Sequence, residues 1–302
     1  MNPMNNNSPK TIWRRYMTHS LLWSLLQCLA VAIILYLFPH PAIIVCGVPF
    51  WWICVLITVV IQRRKHIVSV LQKDLDPQKY LAVLEYGKQK FPAAIEIIDG
   101  SYFAGDHQLV VDLCTMKLQD PKQKARRLYY LTALARVYFD RGLYNETREL
   151  RDRIEGEIAA AKDPQKLLKR YSYISFLKYY LKQDYEGCKT FFATLPPAKT
   201  KLQQISGLFN RALVNLKTGD PATAKEQFTQ IVTQAPKLHQ ATLAKRYLKA
   251  IEAGEDGIPQ EPPLTPTPSF TYTPQRNPKS ARFWLLALLI ILLYTLLQLL
   301  KQ

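Results

Sequence analysis

Residues 208–236, LFNRALVNLKTGDPATAKEQFTQIVTQAP, decide the fold, because they predict two helices joined by a short turn. Gly219 ends the first helix, Asp220 suits the cap of the second, and Pro221 suits its first turn. Apolar or small residues recur every three or four positions, at Leu208, Ala212, Leu213, Leu216, Ala224, Phe228, Ile231 and Val232. This spacing is typical of helices with one buried stripe. Two such helices cannot bury their apolar faces alone, so the pair predicts neighbouring helices.

The turn at Gly219 has counterparts at Gly105, Gly142 and Gln183, and the four positions are separated by 37, 41 and 36 residues. Five residues after each turn position stand Val110, Thr147, Cys188 and Ala224. Nine residues after it stand Cys114, Arg151, Phe192 and Phe228. A recurring period of this length predicts four helix pairs that stack to bury one continuous core.

The pattern resembles the tetratricopeptide repeat (TPR), a helix-turn-helix unit of about 34 residues. The fourth pair matches best, through Asn210, Ala212, Gly219, Asp220, Ala224, Phe228 and Pro236. The second matches through Leu134, Ala135, Tyr138, Gly142 and Tyr144, whereas the third has Gln183 where glycine is usual. The resemblance implies an all-α, TPR-like helical-repeat solenoid over residues 92–252, covered at its end by a capping helix at 238–251. An ordinary helical bundle is the alternative.

The net charge of +17 is concentrated at the two ends of the chain. Residues 1–65 contain six Lys and Arg and no Asp or Glu, and residues 276–302 contain four and none. The central region contains the 30 remaining basic residues and all 23 acidic ones, so its net charge is only +7. Positive charge beside apolar stretches is typical of membrane proteins. Since no nucleic-acid-binding motif is present either, we expect no nucleic-acid partner.

Residues 16–62 carry no Lys, Arg, Asp or Glu, and this length accommodates two membrane spans of about 20 residues. Pro39, His40 and Pro41 divide the stretch into predicted spans at 20–38 and 42–62, joined by a tight turn. Residues 283–300, FWLLALLIILLYTLLQLL, predict a third span. The chain is therefore expected to be an integral membrane protein surrounded by lipid, with an N-terminal transmembrane hairpin and a C-terminal transmembrane helix.

The basic residues also predict the topology. Three precede the hairpin, at Lys10, Arg14 and Arg15, and three follow it, at Arg63, Arg64 and Lys65. The positive-inside rule then places both ends of the hairpin, and the repeat domain, in the cytoplasm of a cell membrane. The remaining parts are a cytoplasmic tail at 1–19, connecting helices at 63–91, and a linker at 253–282. The linker is rich in Pro and Thr, a composition that keeps a chain extended and solvated.

The sequence offers no candidate for catalysis, for a metal site or for a cofactor. The five histidines are scattered, and no phosphate-binding loop or nucleophile motif occurs. Glu96 and Asp99 lie one helical turn apart, an arrangement usually found on a solvated helix face. Cys114 and Cys188 fall at repeat packing positions, so we expect them to be buried as small apolar residues.

Binding is the remaining class of function. In tetratricopeptide proteins the first helices of successive units line a groove that receives a peptide or a partner helix. Carried over by position, the groove side comprises Tyr129, Thr132, Arg136, Arg170, Tyr173, Leu177, Asn210 and Leu213. Arg and Tyr often dominate binding energy, and Arg136 with Arg170 suits a carboxylate.

The favoured hypothesis is a membrane-anchored adaptor or scaffold whose cytoplasmic repeat domain binds a protein partner. The alternative is a structural or accessory subunit of a membrane transport, secretion or envelope-assembly complex. An enzyme of unrecognised type is a third hypothesis.

Overall fold

The computed structural model describes residues 8–37, 41–87 and 94–254, and these residues form helices without any β-strand. The all-α prediction is therefore confirmed for this part of the chain. The hairpin turn predicted at 39–41 (apart from Pro41), nearly all of the linker and the apolar stretch at 283–300 lie outside the described residues.

Helices α1 (Pro9–Leu37) and α2 (Pro41–Arg63) pack against each other, and α2 begins at a proline, which suits a first helical position. Within the described residues, one helix is long and apolar enough to cross a membrane, over Pro9–Ile34 with a mean hydropathy of 1.7. The second and third spans stay predictions.

The predicted cytoplasmic tail at 1–19 is helical from Pro9 onward and belongs to α1. Ile12, Trp13 and Tyr16 recur at helical spacing, and all three are buried. This part of α1 packs against α4 (Pro77–Gly87). Gly87, the last residue of α4, lies directly against the Trp13 ring. The first turns of α1 are thus anchored in the helical domain.

Between α2 and α4 the chain forms a π-helical turn at Arg64–Val68 and the short helix α3 (Ser69–Gln72). Asp76 caps the start of α4, since its carboxylate accepts the backbone N–H of Lys79 at 3.0 Å. At the start of this connection Arg63 Nε donates to Glu96 Oε1 at 2.9 Å, which ties the end of α2 to the helical domain.

The described part of the domain after residue 93 consists of four helix pairs, a 3₁₀ helix at Pro121–Arg126 between the first two pairs, and a final helix. The first two pairs are α5 (Ala94–Ala104) with α6 (His107–Gln119), and α7 (Arg127–Asp140) with α8 (Tyr144–Ala159). The first helix of the third pair is divided into α9 (Pro164–Arg170) and α10 (Ser172–Tyr180), followed by α11 (Tyr185–Thr194). The fourth pair is α12 (Lys201–Lys217) with α13 (Pro221–Gln234), and α14 (His239–Ala253) follows.

The four turns have the same backbone geometry. The residues at the predicted turn positions all have positive φ, with 84° at Gly105, 73° at Gly142, 60° at Gln183 and 78° at Gly219. In each turn the next backbone N–H donates to a carbonyl five residues earlier, as in a helix C-cap of the Schellman type. The pairs are Asp106 to Ser101, Leu143 to Tyr138, Asp184 to Tyr179, and Asp220 to Asn215, at 2.9 to 3.0 Å.

The conformation of Gln183 leads to a stability prediction. A side chain with left-handed backbone angles costs about 1 kcal/mol, a cost that glycine avoids. We expect Gln183→Gly to raise the free energy of unfolding by about that amount, measured by denaturant titration. Lys182→Gly, one residue earlier, is the control and should give no gain. An equal gain from both variants would show that the φ of Gln183 carries no penalty.

Burial has the same period as the turns. The positions five residues after the turns, Val110, Thr147, Cys188 and Ala224, are all 0% exposed. The positions nine residues after them, Cys114, Arg151, Phe192 and Phe228, are also buried. The expected burial of Cys114 and Cys188 is therefore confirmed.

The last helix also contacts the first pair. In a linear repeat array each unit contacts only its neighbours, but here α14 packs on α5 as well as on α13. The rings of His107 and His239 meet edge to face with centroids 4.5 Å apart, and Lys237 forms an ion pair with Asp76. Gly105 permits this approach, because a Cβ there would come within 2.6 Å of the His239 Nδ1. A helix is therefore present where the sequence predicts the capping helix, and it contacts both the fourth and the first pair.

Candidate partner-binding site

Three of the eight predicted groove residues are buried. Thr132 is 5% exposed, and its hydroxyl donates to the Leu128 carbonyl at 2.7 Å within the same helix. Leu177 and Leu213 are 0% and 2% exposed. These side chains contribute to the packing of the core, whereas the other five are half-buried or exposed.

Arg136 and two tyrosines bring three helices together. The Arg136 guanidinium carbon lies 5.0 Å from the ring centroid of Tyr173 on α10 and 6.0 Å from that of Tyr102 on α5. Cation–π attraction is effective at these distances, more so where water is partly excluded. Two of these residues were predicted, and Tyr102 completes the set. We call Arg136, Tyr102 and Tyr173 the Arg136 cluster.

Two carboxylates, those of Asp99 and Asp140, accept hydrogen bonds from tyrosines in or beside this cluster. The Tyr129 hydroxyl donates to Asp99 Oδ1 at 2.7 Å and also lies 3.0 Å from the Ile95 carbonyl oxygen. The Tyr102 hydroxyl donates to Asp140 Oδ2 at 2.7 Å. Burial raises the pKa of Asp99, and the Tyr129 hydrogen bond and the positive charge of Arg136 offset this only in part. The Arg136 cluster therefore lies beside an ordered network of polar side chains that includes both positive and negative charges.

The expectation that Glu96 and Asp99 lie on a solvated face was wrong. Glu96 pairs with Arg63 at the end of α2, and Asp99 accepts from Tyr129 of α7. The signal was in the sequence, because Asp99 lies four residues after Ile95 and three before Tyr102 on the same helix face. That face packs against neighbouring helices, and a polar group there needs a partner.

Arg170 and Asn210 lie on other helices than the three residues of the Arg136 cluster. Arg170 ends α9, and the helix breaks at Tyr171, whose φ and ψ are −107° and 41°. The exposed Arg170 guanidinium lies over the Tyr171 ring at 5.8 Å. Asn210 is half-buried on α12 in the fourth pair. The predicted joint action of Arg136 and Arg170 on one carboxylate gains no support from these contacts.

A second concave feature lies between the third and fourth pairs, where α11, α12 and α13 surround a cleft of about 280 Å³. Arg211 lies over the Phe192 ring at 5.8 Å, and Asn215 donates to the side-chain carbonyl of Gln227 at 3.0 Å. The residues that line this cleft are Lys189, Phe192, Ala193, Arg211, Val214, Asn215 and Gln227. The sequence prediction did not include this cleft, because it uses second helices as well as a first helix.

Among the described residues, no group of three His, Cys, Asp or Glu side chains is arranged to hold a metal ion. No protein-family model, no curated protein and no solved structure matches this chain.

Proposed function

We propose that this chain is a membrane-anchored, TPR-like adaptor whose helical domain binds a protein partner in the cytoplasm. The observation that supports this proposal most strongly is that the first two helices expose their apolar side chains, whereas the following helices bury theirs. In the described residues, large exposed apolar side chains lie on α1 and α2, apart from Tyr86 and Tyr144. Soluble proteins rarely expose patches of this size, so the hairpin needs an apolar environment while the remaining helices keep their apolar side chains inside.

The repeated turn geometry supports the TPR-like part of the proposal. Four equivalent positive-φ positions, each followed by buried residues at the same two offsets, indicate one structural unit used four times. The contact between α14 and α5 departs from an open solenoid and resembles the closure of a bundle. The proposal therefore concerns a short array whose two ends meet.

The Arg136 cluster supports the binding part of the proposal. Arginine and tyrosine are the residue types enriched at interface hot spots. Arg136 is only half-buried, and its guanidinium is held by the Tyr102 and Tyr173 rings before any partner arrives. A pre-ordered side chain loses little conformational entropy on binding. An acidic or carbonyl-rich segment of a partner suits this position, since arginine donates to such groups.

The alternative, a subunit held by contacts between membrane spans, draws less support. It needs polar side chains on the spans that are available to partner spans. Gln27 and Thr58 were two of the few candidates, but Gln27 donates to the Thr58 hydroxyl at 2.6 Å within the hairpin itself. This hydrogen bond engages the Gln27 amide nitrogen and the Thr58 hydroxyl internally and leaves the Gln27 side-chain oxygen as the unpaired atom of the two groups.

The experiment compares Arg136→Gln with Arg170→Gln, two identical chemical changes on first helices of neighbouring pairs. Each full-length variant is purified from membranes in mild detergent, and co-purifying proteins are quantified. We expect Arg136→Gln to reduce recovery of a partner by roughly tenfold or more, a hot-spot effect, and Arg170→Gln to leave it nearly unchanged.

Circular dichroism establishes whether both variants fold. An identical set of co-purifying proteins for wild type and Arg136→Gln would contradict the groove proposal. If those proteins were all integral membrane proteins, the subunit hypothesis would replace it.

A further inference from the structure

We propose that Arg15, His19, Lys65 and His66 form a binding site for the phosphate of an anionic membrane lipid, where the hairpin meets the helical domain. This junction site rests on the proposed membrane attachment and adds a specific ligand class to it. Its residues come from two elements, α1 and the π-helical turn at Arg64–Val68.

A direct contact joins the two elements. His19 Nδ1 and His66 Nε2 are 2.9 Å apart, so one imidazole donates a hydrogen bond to the other. The ring centroids are 4.8 Å apart, and both side chains are half-buried. This contact fixes the π-helical turn beside α1 and brings the residues that flank each histidine into one region. π-Helical turns inside helices are frequent at functional sites.

Two flanking cations complete the site. Arg15 lies one helical turn before His19 on the same face of α1, and Lys65 directly precedes His66. Both Arg15 and Lys65 have exposed side chains. Partial burial lowers the pKa of His66, and the nearby His19, Lys65 and Arg15 lower it further. A phosphate would offset the positive charge that Arg15 and Lys65 bring to this region.

The position along α1 identifies a lipid as the source of that phosphate. Arg15, His19 and Trp23 follow one another at four-residue intervals along one face of α1. Trp23 is 50% exposed, and exposed large apolar side chains extend from Leu21 onward. Tryptophan is enriched where hydrocarbon meets head groups. On the α2 side, the exposed apolar residues end at Ile61, shortly before Lys65. The cations therefore lie at the level where lipid phosphates lie.

The predicted cytoplasmic side favours this ligand class, because anionic lipids are concentrated in the cytoplasmic leaflet. A cation near such a surface strengthens binding about fivefold. Loss of both Arg15 and Lys65 should then weaken the binding of an anionic lipid by roughly twenty-five-fold.

The test uses the full chain in detergent and measures the thermal midpoint during titration with phosphatidylglycerol, with phosphatidylcholine, or with inorganic phosphate. We expect phosphatidylglycerol to raise the midpoint and the other two additions to have much smaller effects. In Arg15→Gln/Lys65→Gln, the phosphatidylglycerol concentration for half the effect should rise by roughly twenty-five-fold. Lys122→Gln/Lys162→Gln is the matched control, since it removes two exposed charges from the helical domain.

Each outcome decides the matter. Equal effects of both lipids, or an equal loss in the control variant, would overturn the junction site. A full effect of inorganic phosphate would show an ion site instead of a lipid site. If the double variant does not fold, Lys65→Gln alone should still weaken the lipid effect about fivefold. Release of the wild-type chain from membranes by alkaline wash would refute the membrane attachment itself, whereas failure of the lipid titration with attachment intact would refute this inference alone.

Discussion

Phe176→Ala is expected to lower the free energy of unfolding of the helical domain by about 3–5 kcal/mol, the usual cost of removing a buried aromatic ring. Phe176 is 1% exposed and lies at the centre of an aromatic cluster that joins the second and third pairs. Its ring centroid is 5.7 Å from those of Phe139 and Phe192. Since a domain has about 5–15 kcal/mol of stability in total, this loss should remove a large part of it.

Phe191→Ala is the matched control for this variant, because it makes the same change one position before Phe192. Phe191 is only half-buried, so we expect a cost well below that of Phe176→Ala. Denaturant titration of both variants, followed by circular dichroism, measures the difference. Similar losses from the two substitutions would show that the Phe176 cluster has no special role in joining the pairs.

Trp13→Ala is expected to destabilise the contact between α1 and the helical domain, again by about 3–5 kcal/mol. Trp13 is 5% exposed, packs against Tyr16 with ring centroids 5.4 Å apart, and touches Gly87. Without the indole, the first turns of α1 lose their main apolar anchor. Limited proteolysis should then cleave near residues 9–19 in the variant and spare them in the wild type.

Trp23→Ala supplies the comparison on the same helix. Trp23 is 50% exposed in the described chain, so its removal should leave the contact between α1 and the domain intact. Any effect of Trp23→Ala should concern the interaction with detergent or lipid. Equal protease sensitivity in both variants would contradict the anchoring role of Trp13.

The turns were predictable from the sequence because their information is local. Gly105, Gly142 and Gly219 favour positive φ by themselves, and their spacing identified Gln183 as the fourth member despite its side chain. The buried positions after each turn followed from the same period. Local chemistry and helical spacing were sufficient for these features.

The site could be predicted only in part, because its geometry depends on which helices meet. Arg136 and Tyr173 were predicted, but Asp99 acquired its role from Tyr129, which is 30 positions further along the chain. The helical start of α1 was missed for the same reason. Trp13 and Tyr16 have the spacing of a buried face, but no local signal states that α4 lies against it. The break at Tyr171, which separates Arg170 from Tyr173, also lacks a Pro or Gly signal.

The contact of α14 with α5 has a consequence for how the domain unfolds. Linear repeat arrays fray from their outermost units, because those units have only one neighbour. Here α5 packs on α4 at the start of the domain, and α14 packs on both α13 and α5. The His107–His239 contact and the Lys237–Asp76 ion pair hold α14 in this position, so neither the first nor the fourth pair forms a free end. Amide hydrogens in the first and fourth pairs should therefore exchange at rates similar to those in the middle pairs, as in a single cooperative foldon.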